Sequence, residues 1–533
     1  MATNPINRLL ALALAVAFAH AYAESDFRFL EADVAAIHEA YRAGSLSAEE
    51  LTRAYLERIA RYDRQRPVLN AFISVNPDAL ERARALDRER ARHGIRGALH
   101  GIPIVVKDNY DTQDLPTTGG SAVLADHRPD ADAFTVARLR AADAIVVGKT
   151  NLSELALSYG RLGYSSAGGL TLNPYNPRRN ASGSSSGTGA AVAANLAVLG
   201  TGTDTAGSIR APAAVTATVG IKPTLGLTSR SGVIPASLSL DVTGPIARTV
   251  RDAAIALAVM AGEDPADART RVSDASRAAD YRDHLDPDAL NGKRLGVVTN
   301  YSGGNREVDA AFRRALDVLQ RRGATVVDVR VPDLIANAWS TMMGPVVDNE
   351  FGPQLERYFR DSQAPVLTLD ALIEASLSPE VANSDRPVNP ARIEGYRQAR
   401  ASLGVADLEY LTILSRRMPR ARALVAELME TEHLHALVFP TMLCPASPRF
   451  DREDDSYRCD AEDPYTPSYM ASSTGFPEIS VPMGYTRRGL PLGISFFATA
   501  WREPDLIGLA YDYEQATGWR KPPPAATRNG DRQ

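Results

Sequence analysis

The chain has 533 residues, of which 44% are hydrophobic, 7% aromatic and 23% charged. This balance is typical of a globular protein and excludes the disordered, collagenous and multi-span membrane classes. The 59 basic and 64 acidic residues give a net charge of −5, and no run of basic residues offers a surface for phosphates. We therefore expect no nucleic-acid partner.

The amino-terminal residues follow the order of a secretory signal. A single charge, Arg8, precedes the apolar residues 9–19, and the small-residue sequence Ala21-Tyr22-Ala23 comes next. This order predicts cleavage after Ala23, with residues 1–23 as the signal peptide. The apolar stretch is short for a bilayer span, which takes about 20 residues. We expect a periplasmic or secreted protein with no membrane attachment after cleavage.

Helical and strand-like segments alternate along the chain. Residues 31–64 have a helical pattern, with Ser47 and Glu50 placed as a capping box. Short apolar segments lie at residues 102–106, 144–147, 196–200 and 295–298, and helical segments at 133–142, 188–197 and 251–261. This alternation predicts one α/β domain, whose mixed and mostly parallel sheet is covered by helices on both faces.

The second half of the chain departs from this alternation. Residues 332–437 are helical and charged without clear strands, which predicts a cap-like helical insertion. Strand-like sequence returns at residues 438–440 and 479–481. The main domain is predicted to span residues 24–520, and a polar tail to follow at 521–533.

Two cysteines, Cys444 and Cys459, are present. In an oxidising compartment they could close a short loop as a disulfide, or both could remain free thiols. No histidine is spaced from them as in a metal-binding motif, so we expect no metal site here.

Lysine is rare in this chain, and one lysine stands in an unusual place. The 59 basic residues include only five lysines (Lys107, Lys149, Lys222, Lys293 and Lys521), so a simple positive charge is usually supplied by arginine. Lys107 ends the apolar segment 102–106, where desolvation lowers the pKa of an amine. A neutral amine can act as a base, which a guanidinium cannot.

The Gly/Ser-rich stretch after Asn180 admits two catalytic interpretations. Residues 183–187 match G-x-S-x-G, which would make Ser185 the nucleophile of a strand-turn-helix elbow. That elbow needs a preceding strand and a later histidine, but residues 173–181 have loop sequence. The histidines that follow (His284, His433 and His435) are in no evident loop after a strand. The other interpretation pairs Lys107 with serines as a base and its nucleophile.

Several motifs together resemble the amidase signature family. They are residues 99–109, 148–154, 182–194, 202–212, 219–223, 241–249 and 474–493. Nearly the whole mature chain is spanned, and the Ser-rich loop followed by Thr-Asp-Thr-Ala-Gly-Ser is highly specific.

The resemblance implies a Ser-Ser-Lys triad that needs no metal or organic cofactor. Ser208 would be the nucleophile, Ser184 a bridging serine on a cis peptide bond, and Lys107 the base. The oxyanion hole would consist of the backbone N–H groups of Thr205, Ala206, Gly207 and Ser208. Successive amides in a tight turn can converge on one point, which suits a developing negative charge.

Some residues depart from the family pattern or have a structural role. Ser182, Ser186 and Ala206 stand where the family usually has glycine. The Cβ of Ala206 narrows the space near the oxyanion and therefore bears on the substrate range. Polar loop residues commonly bond locally, so Asp204 and Arg210 are expected to fix the loop. We expect Lys149 and Lys222 to be structural.

The expected activity is hydrolysis of a carboxamide with release of ammonia. Within the family the chain looks most similar to secreted bacterial peptide amidases, which act on the C-terminal amide of peptides. The alternatives are a general aryl or aliphatic amidase and, in another class, a catalytically inactive secreted binding protein. A tRNA-dependent amidotransferase component is disfavoured by the predicted export. The expected partner is a small amide or an amidated peptide, held by walls from the cap and residues 465–476.

Overall fold

The computed structural model describes residues 27–65 and 68–524. The predicted signal peptide and residues 525–533 of the predicted tail lie outside the described residues, so both remain predictions. Within the described ranges, no helix combines the length and the apolar character that a membrane crossing requires.

An eleven-stranded sheet forms the centre of the molecule, and a two-stranded hairpin lies apart from it. The sheet has the order β1-β3-β2-β6-β8-β7-β12-β13-β11-β9-β10, and β4 pairs with β5. The strands are β1 Phe72–Val75, β2 Pro103–Lys107, β3 Ile145–Thr150, β4 Tyr164–Ser165, β5 Gly169–Leu170, β6 Leu199–Asp204, β7 Val219–Lys222, β8 Val242–Ala247, β9 Arg294–Val298, β10 Thr325–Val329, β11 Ala436–Pro440, β12 Glu478–Tyr485 and β13 Pro491–Phe497.

The sheet is mixed, as the sequence predicts, and its parallel pairs form two groups. Strands β3, β2 and β6 pair in parallel, and so do β11, β9 and β10. The pairs between these groups, from β6 to β11, are antiparallel, as is the pair β1–β3. The antiparallel centre was not visible as such in the sequence, because a parallel sheet and a buried antiparallel sheet both give continuous apolar runs.

Helices cover both faces, since β2, β3, β6, β7, β8, β11 and β13 are buried along their whole length. The helices are α1 Val34–Ala43, α2 Ala48–Arg58, α3 Ala79–His93, α4 Phe134–Ala141, α5 Ser186–Ala193, α6 Arg210–Val215, α7 Val250–Met260, α8 Ser273–Ser276, α9 Arg306–Arg321, α10 Asp333–Ala336, α11 Gly344–Asp361, α12 Leu369–Ser376, α13 Pro379–Ala382, α14 Pro390–Ala401, α15 Leu408–Thr412, α16 Met418–Thr431, α17 Tyr469–Thr474 and α18 Glu503–Thr517.

Local sequence explains several of these elements. The predicted capping box begins α2: Ser47 accepts from the Glu50 N–H, and the Glu50 carboxylate accepts from the Ser47 N–H. Between β10 and β11 the chain is helical, from α10 to α16, which we call the cap. Cap residues including Phe351, Leu355 and Tyr396 form a second apolar cluster together with Leu155 and Ile234 of the main domain. The helical insertion expected from the sequence is therefore present.

Cys444 and Cys459, whose state the sequence left open, form a disulfide. The bridge joins two positions 15 apart and closes a loop between β11 and α17. Arg179, which precedes the serine-rich segment, holds this loop by two hydrogen bonds. Its Nη1 donates to the carbonyl of Ala446 at 3.3 Å and its Nη2 to Ser456 Oγ at 2.8 Å. The loop is thus fixed beside the segment that leads into α5.

Candidate active site

Two neighbouring parallel strands deliver the main chemical groups. Strand β2 ends at Lys107 and β6 ends at Asp204, and the register pairs Ile104 with Leu199. Because parallel strands end at the same edge of a sheet, Lys107 comes to lie beside the loop that follows β6. That loop contains Ser208.

The amine of Lys107 is completely buried. Its Nζ donates to Ser184 Oγ at 2.8 Å and to Thr203 Oγ1 at 2.7 Å. Thr203 Oγ1 also accepts from Asn109 Nδ2 at 3.2 Å. Burial lowers the pKa of Lys107 to about 7, although the carboxylates of Asp204 and Asp241 favour the charged form. A substantial share of neutral amine is therefore present near neutral pH.

Ser184 and Ser185 follow each other but have different surroundings. The Gly183–Ser184 peptide bond is cis, as the resemblance implied. The N–H of Ser185 donates to the carbonyl of Ser208 at 3.2 Å, which joins the two serine-bearing loops. The side chain of Ser185 is fully buried and donates to the carbonyl of Thr203 at 3.3 Å. This contact, and the absence of a strand immediately before Ser185 in the described chain, argue against the elbow interpretation.

Ser208 lies at the surface of the site. It is partly exposed, and its hydroxyl makes no hydrogen bond to any residue that the structure describes. The N–H groups of Thr205, Ala206 and Ser208 likewise meet no acceptor among the described residues. These three amides are thus available to a ligand that approaches the Ser208 hydroxyl.

The resemblance implied Gly207 as a fourth oxyanion donor, and here the structure corrects the expectation. The N–H of Gly207 donates to Asp204 Oδ1 at 2.7 Å, so it is already used inside the protein. Gly207 has a φ of +107°, and a Cβ there would come within 2.6 Å of Ser468 Oγ. The turn therefore needs glycine at this position for its shape, and its amide points at the buried carboxylate.

Asp204 and Arg210 fix the loop that contains Ser208, as the sequence predicts. Arg210 Nη2 and Nε donate to the two oxygens of Asp204 at 2.8 and 2.9 Å. Its Nη1 donates to Glu478 Oε2 at 2.6 Å. Burial by itself raises the pKa of Asp204, but Arg210 outweighs burial and holds that pKa at about 2. The carboxylate is thus permanently charged and committed to the loop.

The other buried lysines near the site have structural contacts. Lys149 Nζ lies 3.1 Å from Asp108 Oδ1 and donates to the carbonyl of Pro116. Lys222 Nζ donates to the carbonyls of Pro223 and Phe476 at 3.0 and 2.9 Å. Burial, helped by Arg210, also lowers the pKa of Lys222 to about 7, but it contacts no serine. Of these three buried lysines, Lys107 alone meets a hydroxyl of the Ser-rich loop.

The segment predicted to form a pocket wall packs against both serine loops. Tyr465 OH shares a hydrogen bond of 2.8 Å with Ser182 Oγ, and Ser468 Oγ donates to the carbonyl of Ala206 at 3.2 Å. Trp339 of the cap is 40% exposed, and its ring centre lies 5.6 Å from that of Tyr469. The cap and residues 465–476 therefore present aromatic surface next to the site.

Two residues of the site, Thr203 and Glu478, escaped the sequence analysis. Thr203 holds the second N–H of Lys107, and Glu478 completes the partners of Arg210. The parallel register of β2 and β6 would have pointed to Thr203, because both strands end at nearly the same level. Glu478 is 268 positions from Arg210 and gave no local signal.

Comparisons with known proteins agree on one family. The model of the amidase family matches residues 50–507. The structure of native peptide amidase from Stenotrophomonas maltophilia is similar with a TM-score of 0.84 and 41% identity, over 93% of this chain and 99% of that chain. A probable amidase from Arabidopsis thaliana is 36% identical over 510 residues, 94% of this chain and 92% of the relative. A glutamyl-tRNA(Gln) amidotransferase component from a Synechococcus strain is 36% identical over 507 residues, 92% of this chain and 93% of the relative.

Arg210→Met should destabilise the protein severely, because it leaves the carboxylates of Asp204 and Glu478 buried without their cation. We expect the free energy of unfolding to fall by more than about 3 kcal/mol, measured by chemical denaturation. Arg282→Met is the control, since Arg282 pairs with Asp280 at the surface and its loss should cost less than about 1 kcal/mol. Equal losses for the two variants would contradict this assignment.

Proposed function

The chain belongs to the amidase signature family and is an amide-hydrolysing enzyme, and we propose that it cleaves the C-terminal carboxamide of peptides through a Ser208–Ser184–Lys107 triad. The observation that carries this proposal is the 2.8 Å contact between Ser184 and a fully buried amine whose pKa is about 7. Serine is a weak nucleophile unless a base accepts its proton, and this amine is placed to do so.

The proposed reaction begins with two proton transfers. Neutral Lys107 takes the proton of Ser184, and the Ser184 oxygen takes the proton of Ser208 as the Ser208 Oγ bonds to the amide carbon. Negative charge then develops on the substrate oxygen. The free N–H groups of Thr205, Ala206 and Ser208 are suited to stabilise it, and removal of one such donor typically costs about 3 kcal/mol.

Collapse of the tetrahedral intermediate completes the first half of the reaction. Ser184 delivers its proton to the nitrogen as the carbon–nitrogen bond breaks, so ammonia leaves instead of an amide anion. Ser184 then recovers a proton from Lys107. Water attacks the acyl-enzyme with the same relay as base, and the carboxylic acid is released with Ser208 restored.

Thr203 gives the base its orientation. A neutral amine has two N–H groups and one lone pair, and the lone pair must face Ser184 for the transfer. The 2.7 Å bond to Thr203 Oγ1 occupies one N–H, and the Asn109 amide holds that Thr203 oxygen in place. Lys107 is thus restrained in the rotamer that meets Ser184.

A peptide substrate is favoured by two observations. The peptide amidase of Stenotrophomonas maltophilia matches nearly end to end at 41% identity. The exposed ring of Trp339, packed beside Tyr469, supplies apolar surface on which a peptide side chain can lie. A simple aliphatic amide has no side chain or ring to use that surface. A general aryl or aliphatic amidase remains the alternative.

Ser208→Ala should abolish nearly all ammonia release from a peptide amide, because the proposed nucleophile is lost. Ser185→Ala, the matched control one position beyond Ser184, should keep most of the activity, since the variant keeps the backbone N–H and loses a side-chain hydroxyl that bonds the carbonyl of Thr203. The measurement is the steady-state rate of ammonia release by each variant, compared with that of the parent enzyme. The reverse pattern would restore the elbow interpretation.

The pH dependence should report the charge of Lys107. Its pKa is about 7, and the base must be neutral, so kcat/KM should rise with pH through about 7 and level off above it. Lys107→Arg should be as inactive as Lys107→Ala, because a guanidinium stays protonated. A Lys107→Arg enzyme with substantial activity would contradict the role of a neutral base.

The substrate class is tested by ammonia release from a panel of amides. Dipeptide amides with aromatic or aliphatic side chains should have the highest kcat/KM, above free aryl and aliphatic amides and above glutamine. Turnover of simple amides alone would favour the general amidase. Trp339→Ala should raise KM for the dipeptide amides and leave simple amides unaffected.

A further inference from the structure

A chain of hydrogen bonds links the cap to the loop of the proposed nucleophile. It begins at Glu350 on α11, which is 1% exposed. The Glu350 carboxylate accepts from Ser237 Oγ at 2.7 Å, from the Ser239 N–H at 3.0 Å and from Ser239 Oγ at 2.5 Å. It also accepts from Tyr410 OH at 2.8 Å. Four donors therefore hold this single carboxylate, and three of them belong to the loop before β8.

The same loop is held from its other side by Asp241. The N–H groups of Ala236 and Ser237 donate to Asp241 Oδ2 at 2.8 and 2.9 Å. The other oxygen, Oδ1, accepts from Thr205 Oγ1 at 2.5 Å. Asp241 thus connects the loop that Glu350 holds with Thr205, whose N–H has no acceptor among the described residues.

Asp241 also acts on Lys107 through its charge. Two carboxylates favour the protonated amine, and they are Asp204 and Asp241. Asp204 forms an ion pair with Arg210. Burial raises the pKa of Asp241, and the charge of Arg230 opposes that rise. Asp241 lines one small cavity together with Thr205 and with Thr203, the threonine that bonds Lys107.

We propose that Asp241 is a positioning residue for the hydrolysis, fixing Thr205 of the oxyanion loop, and that Glu350 extends this control to the cap. The inference rests on the proposed function, because it takes the Thr205 N–H as an oxyanion donor. A side-chain hydroxyl bonded at 2.5 Å fixes the residue on which that N–H stands. Since small displacements of such donors cost much of their effect, loss of this bond should act on the transition state more than on substrate binding.

The proposal is tested first at Thr205, where the hydroxyl can be removed and the backbone N–H retained. Thr205→Val should lower kcat about tenfold with KM nearly unchanged, and should weaken binding of a peptide aldehyde, which forms a tetrahedral adduct with serine, by a similar factor. Thr205→Ser restores the hydroxyl and should recover most of the lost kcat. Thermal melting verifies that both variants are folded.

A second arm removes the carboxylate charges. Asp241→Asn should lower kcat and also shift the acid limb of the kcat/KM profile to lower pH, because loss of its charge lowers the pKa of Lys107. Glu350→Gln should lower kcat with little change in KM. Glu356→Gln is its matched control on α11, since Glu356 accepts from Leu369 N–H within the cap and should leave kcat unaltered. If Asp241→Asn does not fold, the Thr205 pair decides.

The outcomes separate this inference from the proposed function. If Ser208→Ala is inactive while Thr205→Val keeps kcat and aldehyde binding within twofold of the parent enzyme, the triad stands and the positioning role is overturned. An active Ser208→Ala enzyme would overturn the proposed function itself. Equal losses of kcat for Glu350→Gln and Glu356→Gln would confine the inference to Asp241 and overturn the link to the cap.

Discussion

The site depends on an amine that is buried without a carboxylate in direct contact. An ammonium group in this position loses its hydration, and its nearest polar partners are the hydroxyls of Ser184 and Thr203. A hydroxyl can hydrogen-bond to a neutral amine as well as to an ammonium group, so these partners do not favour the charged form strongly. Burial therefore lowers the pKa of Lys107 to about 7. Had Asp204 or Asp241 formed a salt bridge with it, the amine would have remained protonated and useless as a base.

The remaining charges near the site are arranged to avoid that salt bridge. Asp204 is saturated by Arg210 and by the N–H groups of Gly207 and Ile209. This arrangement fixes the turn and withdraws the Gly207 amide from the pocket, but it leaves the N–H groups of Thr205, Ala206 and Ser208 free. The rigidity of the loop and the availability of its donors thus have one origin, the fully buried ion pair of Asp204 and Arg210.

The serines that replace family glycines have different consequences. Ser182 joins Tyr465 through its hydroxyl and thereby ties the serine-rich loop to the segment beside the disulfide. Ser186 is the first residue of α5 and is fully buried. It packs closely against Gly163, since a Cβ added at Gly163 would lie 3.1 Å from the Ser186 Cβ. The described hydrogen bonds of Lys107 Nζ go to Ser184 and Thr203 and to neither of these serines. These departures therefore bear on the walls of the pocket and leave the contacts of the proposed base unchanged.

Local patterns in the sequence determined the helical and strand-like elements, the capping box of α2 and the helical cap, because each rests on periodicity or on a short motif. The apolar segment before it singles out Lys107, and the resemblance to the family points to Ser184 and Ser208. Only the tertiary structure decided the antiparallel centre of the sheet, the pairing of the cysteines and the use of the Gly207 amide. Burial lowers the pKa of Lys107 and of Lys222 to about 7, and the structure adds to the sequence-based expectation the contacts that separate them, since Lys107 meets Ser184 whereas Lys222 meets backbone carbonyls. The strand neighbours in the sheet and the partners of Arg210 and Lys222 come from distant parts of the chain, as with Glu478 at 268 and Phe476 at 254 positions, and they meet only in the folded protein. The Gly207 amide bonds Asp204 only three positions away, but its direction depends on the shape of the turn, which a sequence pattern does not give.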